Sequence, residues 1–324
     1  NKDQSEGNAA EQRDMAVMMV PTDAAMREYW EGTGKPLSEN YASWNDVPDD
    51  VIIKLLNVNM LPSFTSSVPS KFSAILNDAN DPMGVDVADI DSVWMTCNGA
   101  VYLTNKVYSP TAYVSVSFPA LINRNMKIID WAITQCKYNV YLTALGSDYS
   151  FFIPTNDALI EYIDPCSYGK QNLQLLSFRW DETKKADERV YAVLYNYDKE
   201  TGERDSVGIV NNYYRITKCL QDILDTHIVI GRVWDGKNTY FRTKNGTGIR
   251  VTNPADESNM TVEGSFQMNE GQPLRVTRVY DQRKEVAGGN GKSYVLEGQP
   301  IMGTRLTVYD QLAAHPKYFG KFLE

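Results

Sequence analysis

Few side chains in this sequence are suited to chemistry. The chain of 324 residues holds two histidines, His227 and His315, and four cysteines, Cys97, Cys136, Cys166 and Cys219. A serine or cysteine nucleophile needs a histidine-type base held by a carboxylate. His227 is the one serious base, because His315 lies in a C-terminal segment that reads as helix. Yet in CLQDILDTHIVIG, Leu220, Ile223, Leu224 and His227 follow the i, i+3, i+4, i+7 spacing of an apolar helix face. A histidine there is expected to be buried and hydrogen-bonded. A hydrolase would instead expose it in a cleft, beside a carboxylate and a hydroxyl or thiol.

The other candidates are weaker. No two cysteines form a CxxC pair, and two histidines in all exclude a zinc cluster or an HExxH site. Packed free thiols are the expectation, since the spacing selects no disulfide. Asp49-Asp50 and Asp89/Asp91 are carboxylate pairs of the type that binds calcium or acts on glycosides, but they lack calcium-loop spacing and read as solvated. Gly288-Gly289-Asn290-Gly291 has no following Lys-Ser/Thr, so it is no phosphate loop. It reads as a flexible lead into a hairpin. No cofactor and no metal are expected.

The elements that must position these residues occur twice. YSFFIPTNDALIEYI, from Tyr149, reads as a buried strand stopped by Pro154, then a cap at Thr155 to Asp157, then a helix with Ala158, Leu159, Tyr162 and Ile163 on one face. MAVMMVPTDAAMREYW, from Met15, has the same order, with Thr22 matching Thr155 at an offset of 133 (155 − 22). VIIKLLNVNMLPS matches CLQDILDTHIVIG, with Asn59 against His227 at an offset of 168 (227 − 59). NGAVYLTNKVYSP matches GKSYVLEGQPIMG, with Tyr102 against Tyr294 at an offset of 192 (294 − 102). Three blocks in one order, with growing loops between them, argue for two copies of one domain.

These blocks resemble the fasciclin (FAS1) domain. Its apolar strand followed by Pro-Thr-Asx-x-Ala stands here as VPTDAAM and IPTNDAL. Its leucine-rich helix ending near a histidine stands as ILDTHIVIG, with Asn59 replacing the histidine in the first copy. The long additions to the second copy look like those of fasciclin-type surface proteins of Bacteroides and relatives. The resemblance implies an α+β fold: two tandem fasciclin-like domains, each a β-sheet wedge with packed helices. The first would span 1–111 without its opening helices, the second 112–304 with an insertion at about 166–210, and 305–324 would be a helical tail or the start of a further repeat.

It further implies a non-enzymatic adhesion or binding protein, secreted or on the cell surface, that recognises a protein or glycan. The alternative is an accessory surface lipoprotein of an outer-membrane nutrient-uptake complex, with transporter components as partners. A hydrolase ranks third. Localisation would be the cell surface, lipid-anchored at a bacterial outer membrane through an anchor outside this segment. The family links the histidine region to adhesion, which marks Thr226, His227 and Ile228 as partner-binding candidates. Trp180, Tyr191 and Tyr195, in the insertion, are the others.

Composition agrees with a folded binding protein. Hydrophobic residues at 43% and charged residues at 23% are ordinary for a globular chain. Twenty tyrosines suit strands and recognition surfaces. A net charge of −9 without a basic patch argues against nucleic acid as a partner. No apolar run is long enough to span a bilayer. The leader NKDQSEGNAAEQRD reads as disordered or loop. Val116 to Ile133 is expected to be helical, with Met126, Ile129 and Ile133 inward. Hairpins are expected at Asn98-Gly99 and Asn245-Gly246. In the insertion, LLSFRW and RVYAVLYNY read as the strands of an added edge hairpin, and DKETGERD as a solvated turn.

Overall fold

The computed structural model describes residues 15–32, 35–38, 40–167, 172–198, 201–284, 288–303 and 308–323. The leader of residues 1–14 lies outside them. The described residues fall into two compact units, one within Asn1–Ile122, Leu142–Leu145 and Gln282–Asn290, the other within Asn123–Tyr141, Gly146–Asp281 and Gly291–Glu324. Helix and strand are mixed throughout, as an α+β fold requires.

The first unit contains β1 (Ala16–Pro21), α1 (Asp23–Glu31), α2 (Lys35–Ser38), α3 (Asp49–Val58), β2 (Met60–Leu61), β3 (Ile90–Met95), β4 (Gly99–Thr104), α4 (Thr111–Val114) and α5 (Phe118–Ile122). Its sheet runs β2-β1-β4-β3, with β1 parallel to β4 and the other pairs antiparallel. Alternation in β1 turns Val17 and Met19 into a core with Leu61, Phe72, Ala100, Tyr102 and Tyr108. Pro21 stops the strand, and the Thr22 hydroxyl caps α1 by accepting from the Ala25 N–H at 3.1 Å. Helix α3 starts with Asp49 and Asp50, whose charges favour a helix N-terminus, and buries Val51 and Leu55.

The second unit contains α6 (Lys127–Gln135), α7 (Tyr138–Leu142), β5 (Tyr149–Pro154), β6 (Tyr162–Ile163), β7 (Leu173–Trp180), β8 (Val190–Tyr197), β9 (Arg204–Val210), α8 (Tyr213–His227), β10 (Ile228–Ile230), β11 (Tyr240–Arg242), β12 (Gly248–Thr252), β13 (Thr261–Glu263), α9 (Ser265–Glu270), β14 (Leu274–Gln282), β15 (Gly291–Leu296), α10 (Val308–Ala314) and α11 (Pro316–Leu323). One sheet runs β10-β5-β15-β14-β13-β12-β11. A bridge between Val229 and Thr243 brings its two ends together around Phe152, Val251, Met260, Val262 and Tyr294. A second sheet, β6-β7-β8-β9, is wholly antiparallel. As the sequence predicts, Met126, Ile129 and Ile133 are buried.

The three sequence offsets reappear as strand register. In the first unit Met19 pairs with Tyr102 and Val17 with Leu61. Adding 133, 192 and 168 gives Phe152 with Tyr294 and Ser150 with Val229, and both pairs are observed. The Thr22 N–H donates to the Thr104 carbonyl, and the Thr155 N–H to the Leu296 carbonyl, at the same offsets. Each copy therefore holds its first strand between a parallel partner and a short antiparallel one.

Three expectations are corrected. The helix expected after Thr155 is only a 3-10 turn, Ala158–Glu161, although Thr155 still accepts from the Ala158 N–H at 3.3 Å. Tyr162 and Ile163 leave the helical path to pair with Leu176 and Leu175 of the insertion. The insertion is more than an edge hairpin: part of the stretch read as a solvated turn, from Arg204, becomes β9, and Leu176, Phe178, Ala192 and Leu194 are buried. The glycine-rich lead is a latch, because buried Asn290 accepts from the Val116 N–H at 3.0 Å and donates to the Leu142 carbonyl at 2.7 Å.

Gly246 takes the expected positive φ of 89° in its hairpin turn, but neither Asn98 nor Gly99 does. Gly99 answers a different need. A Cβ there would overlap the Ala16 carbonyl oxygen on the parallel neighbour, and one at Gly291 would overlap the carbonyl oxygen of Tyr149, the residue matching Ala16. Gly99→Ala and Gly291→Ala should each lower unfolding free energy by about 1–3 kcal/mol in urea titrations, as overpacking does. Gly146→Ala, with open space around it, should stay within about 0.5 kcal/mol of the parent.

Candidate functional site

Helix α8 ends on His227, and the helix face that carries it is the face that carries Leu220, Ile223 and Leu224. The side chain is fully buried. Its Nδ1 lies 2.6 Å from the Ile223 carbonyl one turn back, and its Nε2 lies 2.9 Å from the Ile301 amide nitrogen. The Ile301 N–H donates to Nε2, so Nδ1 carries the proton and donates to Ile223. Burial pushes the imidazole pKa down to about 4. With both nitrogens committed to backbone and no exposed surface, His227 is not placed to take a proton from a nucleophile. It ties the end of α8 to the segment that follows β15.

Asn59 fills the matching place in the first unit. Its Nδ2 donates to the Leu55 carbonyl at 2.8 Å and to the Tyr108 carbonyl at 2.9 Å. The same two segments are linked, the preceding helical turn and the chain after the closing strand, although Asn59 donates to the second where His227 accepts from it. Histidine and asparagine are here two solutions to one backbone problem, linking the same two segments, while the buried Asn59 Oδ1 is left without a partner among the described residues.

Thr226 and Ile228 share the burial of His227. Thr226 donates to the Asp222 carbonyl and accepts from Asn245 Nδ2, both at 2.8 Å, while Ile228 pairs with Phe151. None of the three offers side-chain surface to a partner. The accessible chemistry lies beside them. Lys244 Nζ contacts Asp225 Oδ1 at 2.5 Å and Tyr138 Oη at 3.1 Å, and sits 4.8 Å from the Tyr138 ring centre and 5.5 Å from that of Tyr141. Partial burial works to lower the lysine pKa, but the hydrogen bonds to Asp225 and Tyr138 outweigh it and raise the pKa overall. The ammonium is kept charged, which suits a tether and not a nucleophile.

In the insertion, Tyr191 and Tyr195 share one face of β8, with Val193 between them. Val193 pairs with exposed Ile209 on the edge strand β9. Trp180 does not join them. It pairs with Val190 on the other face, with the Arg189 guanidinium 5.8 Å from its ring. The remaining candidates are structural. Asp89 accepts from the Tyr108 hydroxyl at 2.8 Å and closes a capping box with Asp86. All four cysteines are free, but Cys97 and Cys166 are exposed and not packed as expected; burial raises Cys136 to about 11 and Cys219 to about 12, so neither of these is a ready thiolate. Among the described residues, no three His, Cys, Asp or Glu side chains cluster as metal ligands, and no helix is long and apolar enough to cross a membrane.

Sequence reasoning missed two open clefts flanking α1. One, of 460 Å³, lies along Glu28 and Tyr29 and reaches Asn77, Asn105, Lys106 and Tyr108. The other, of 420 Å³, is lined by Asp23, Arg27, Trp30, Glu31, Ser43 and Trp44, among others. Trp44 sits in a short loop with no periodicity, so nothing in its spacing points to Trp30.

No family model matches the chain, and no curated protein does. A solved FAS1 domain pair from the insect cell adhesion molecule Fasciclin I is similar at 10% identity and a TM-score of 0.34, over 89% of this chain and 88% of that one. A likeness of that size fixes neither fold nor function.

The buried histidine sets a pH dependence. Its folded pKa, about 4, lies below the unfolded value near 6.5, so the unfolded chain binds more protons between them. This contribution, of up to about 3 kcal/mol, is fully present above pH ~6.5 and is lost as pH falls toward ~4. Urea midpoints against pH should show that slope in the parent chain. His227→Asn, which can still donate to Ile223, should fold and lose the slope.

Proposed function

We propose that this chain is a non-enzymatic recognition protein built on two fasciclin-like modules, working at the cell surface or outside the cell and holding a protein or a glycan. One observation carries the reading: the single histidine suited to catalysis is buried, with both ring nitrogens bound to backbone. Its counterpart, Asn59, makes the equivalent backbone links with no titratable group. The shared register of the two copies supports the fasciclin resemblance that the motifs first raise. On this reading the modules are 1–111 and 112–304, followed by a helical tail.

The insertion sheet is the addition best suited to contact. Tyr191, Tyr195 and Ile209 lie together on one face, and β9 is an edge strand whose Val207 and Ile209 are exposed. Edge strands with exposed apolar residues invite pairing unless a partner or a charge covers them. Trp180, on the other face of the sheet, lies outside this patch. Anchorage to a bacterial outer membrane, and work beside a nutrient transporter, are one form of this proposal.

Deleting the insertion is a poor test, because its inner face supplies core. The better one is capture from native outer membranes by the intact chain and by a Tyr191→Ala, Tyr195→Ala, Ile209→Asp variant with an unchanged melt. The parent should retain a partner that the variant loses. A transporter component in the captured set would favour the uptake arrangement. Retention by both would move recognition off the insertion sheet. Turnover of an ester, peptide or glycoside that His227→Asn abolishes would contradict the non-enzymatic reading.

A further inference from the structure

The 420 Å³ cleft on the first unit falls within the ordinary range of small-ligand sites, about 300–1,000 Å³. Its walls come from α1 and the loop before α3. Thr22 fixes the start of α1, and Tyr29 fixes its inner face by its hydrogen bond with Ser109. Asp23, Arg27, Trp30 and Glu31 then stand at i, i+4, i+7 and i+8, on the outer side of the helix. The loop returns Trp44 against them. Its ring stacks on Tyr29 with centres 6.3 Å apart and planes at 17°, and meets Trp30 at 4.7 Å and 47°.

Two half-buried indoles therefore form a tilted wedge, and the buried Tyr29 behind them holds one in place. Asp23, Arg27 and Glu31 are exposed at the rim, with no ion pair or side-chain hydrogen bond among the described residues. The same holds for hydrogen bonds from the indole N–H groups of Trp30 and Trp44. Ser43 is the committed polar group, donating to Asp46 at 2.8 Å.

We infer that this cleft is a carbohydrate site that takes a pyranose unit of a glycan. A pyranose ring has a flat C–H face and a periphery of hydroxyls. The indoles supply an apolar platform for the first, as aromatic rings do for flat apolar faces. The free carboxylates and the guanidinium supply acceptors and donors for the second. Other ligand classes fit less well. An anion meets Asp23 and Glu31, a cation would leave Arg27 unused and opposed, and a purely apolar ligand would use the indoles alone and leave the polar rim without a role. The site belongs to one copy only: after Thr155 the chain makes a 3-10 turn in place of a helix, so no second platform forms. The inference rests on the recognition reading above and specifies a glycan for the first unit.

The test is titration calorimetry of the full chain with cellobiose, lactose, maltose, mannobiose and diacetylchitobiose, backed by a glycan array. At least one sugar should bind. Trp30→Ala and Trp44→Ala should each weaken it by about tenfold or more, as loss of a central aromatic contact does. Trp44→Ala also removes the stack on Tyr29, so an Arg27→Ala, Glu31→Ala double variant, altering only exposed side chains, is the companion. It should weaken binding with an unchanged melt. Silence across sugars and array overturns the inference, as does binding indifferent to all three variants. Silence here beside successful capture of a membrane protein would leave the recognition reading standing; silence in both would remove it.

Discussion

Each unit depends on one contact: a strand and its parallel neighbour brought so close that a glycine must face a carbonyl. Gly99 meets Ala16 in the first, Gly291 meets Tyr149 in the second. Parallel strands cannot be joined by a tight turn, so everything between them must be built as crossover. In the first copy that crossover includes α1, α3 and β2. In the second, α8 and β10 take the places of α3 and β2, and the crossover also carries the insertion sheet and most of the near-closed sheet. The two copies differ so much in length because additions in a crossover leave the central pair untouched.

The second constraint is where the crossover helix ends. The helix before β2 or β10 delivers its chain directly into the strand beside the central pair, which leaves a buried polar junction. His227 and Asn59 each bridge that junction between a helical carbonyl and the chain after the closing strand. His227, with both ring nitrogens bound to backbone, has no hydrogen bond left for a substrate. On the proposed reading, recognition lies in what each crossover adds: an insertion sheet in one unit, an aromatic cleft in the other.

Much of this was legible in the sequence, and the reason is physical. The strand–cap–helix order, the helix faces and the offsets of 133, 168 and 192 record side-chain period and capping, which are local. They return as hydrogen-bond register. The misses are where distant residues compete. Ala158 to Ile163 has helical spacing, yet Tyr162 and Ile163 are claimed as a strand by Leu175 and Leu176. Gly99 closes the hairpin expected there, yet without the expected positive φ, and its lack of a side chain serves close approach to Ala16. The meeting of Trp30 with Trp44 depends on a loop path that no periodicity encodes.

The most direct measurement is hydrogen exchange by mass spectrometry, resolved by peptide. Amides of β1 and β4 in the first unit, and of β5 and β15 in the second, should be the last to exchange, because these pairs hold their units together. The insertion strands β8 and β9 should exchange first among the strands of the second unit. If β7 to β9 outlast β5 and β15, the insertion sheet would be the true core of that unit, and the account of one module built twice around a parallel pair would be wrong.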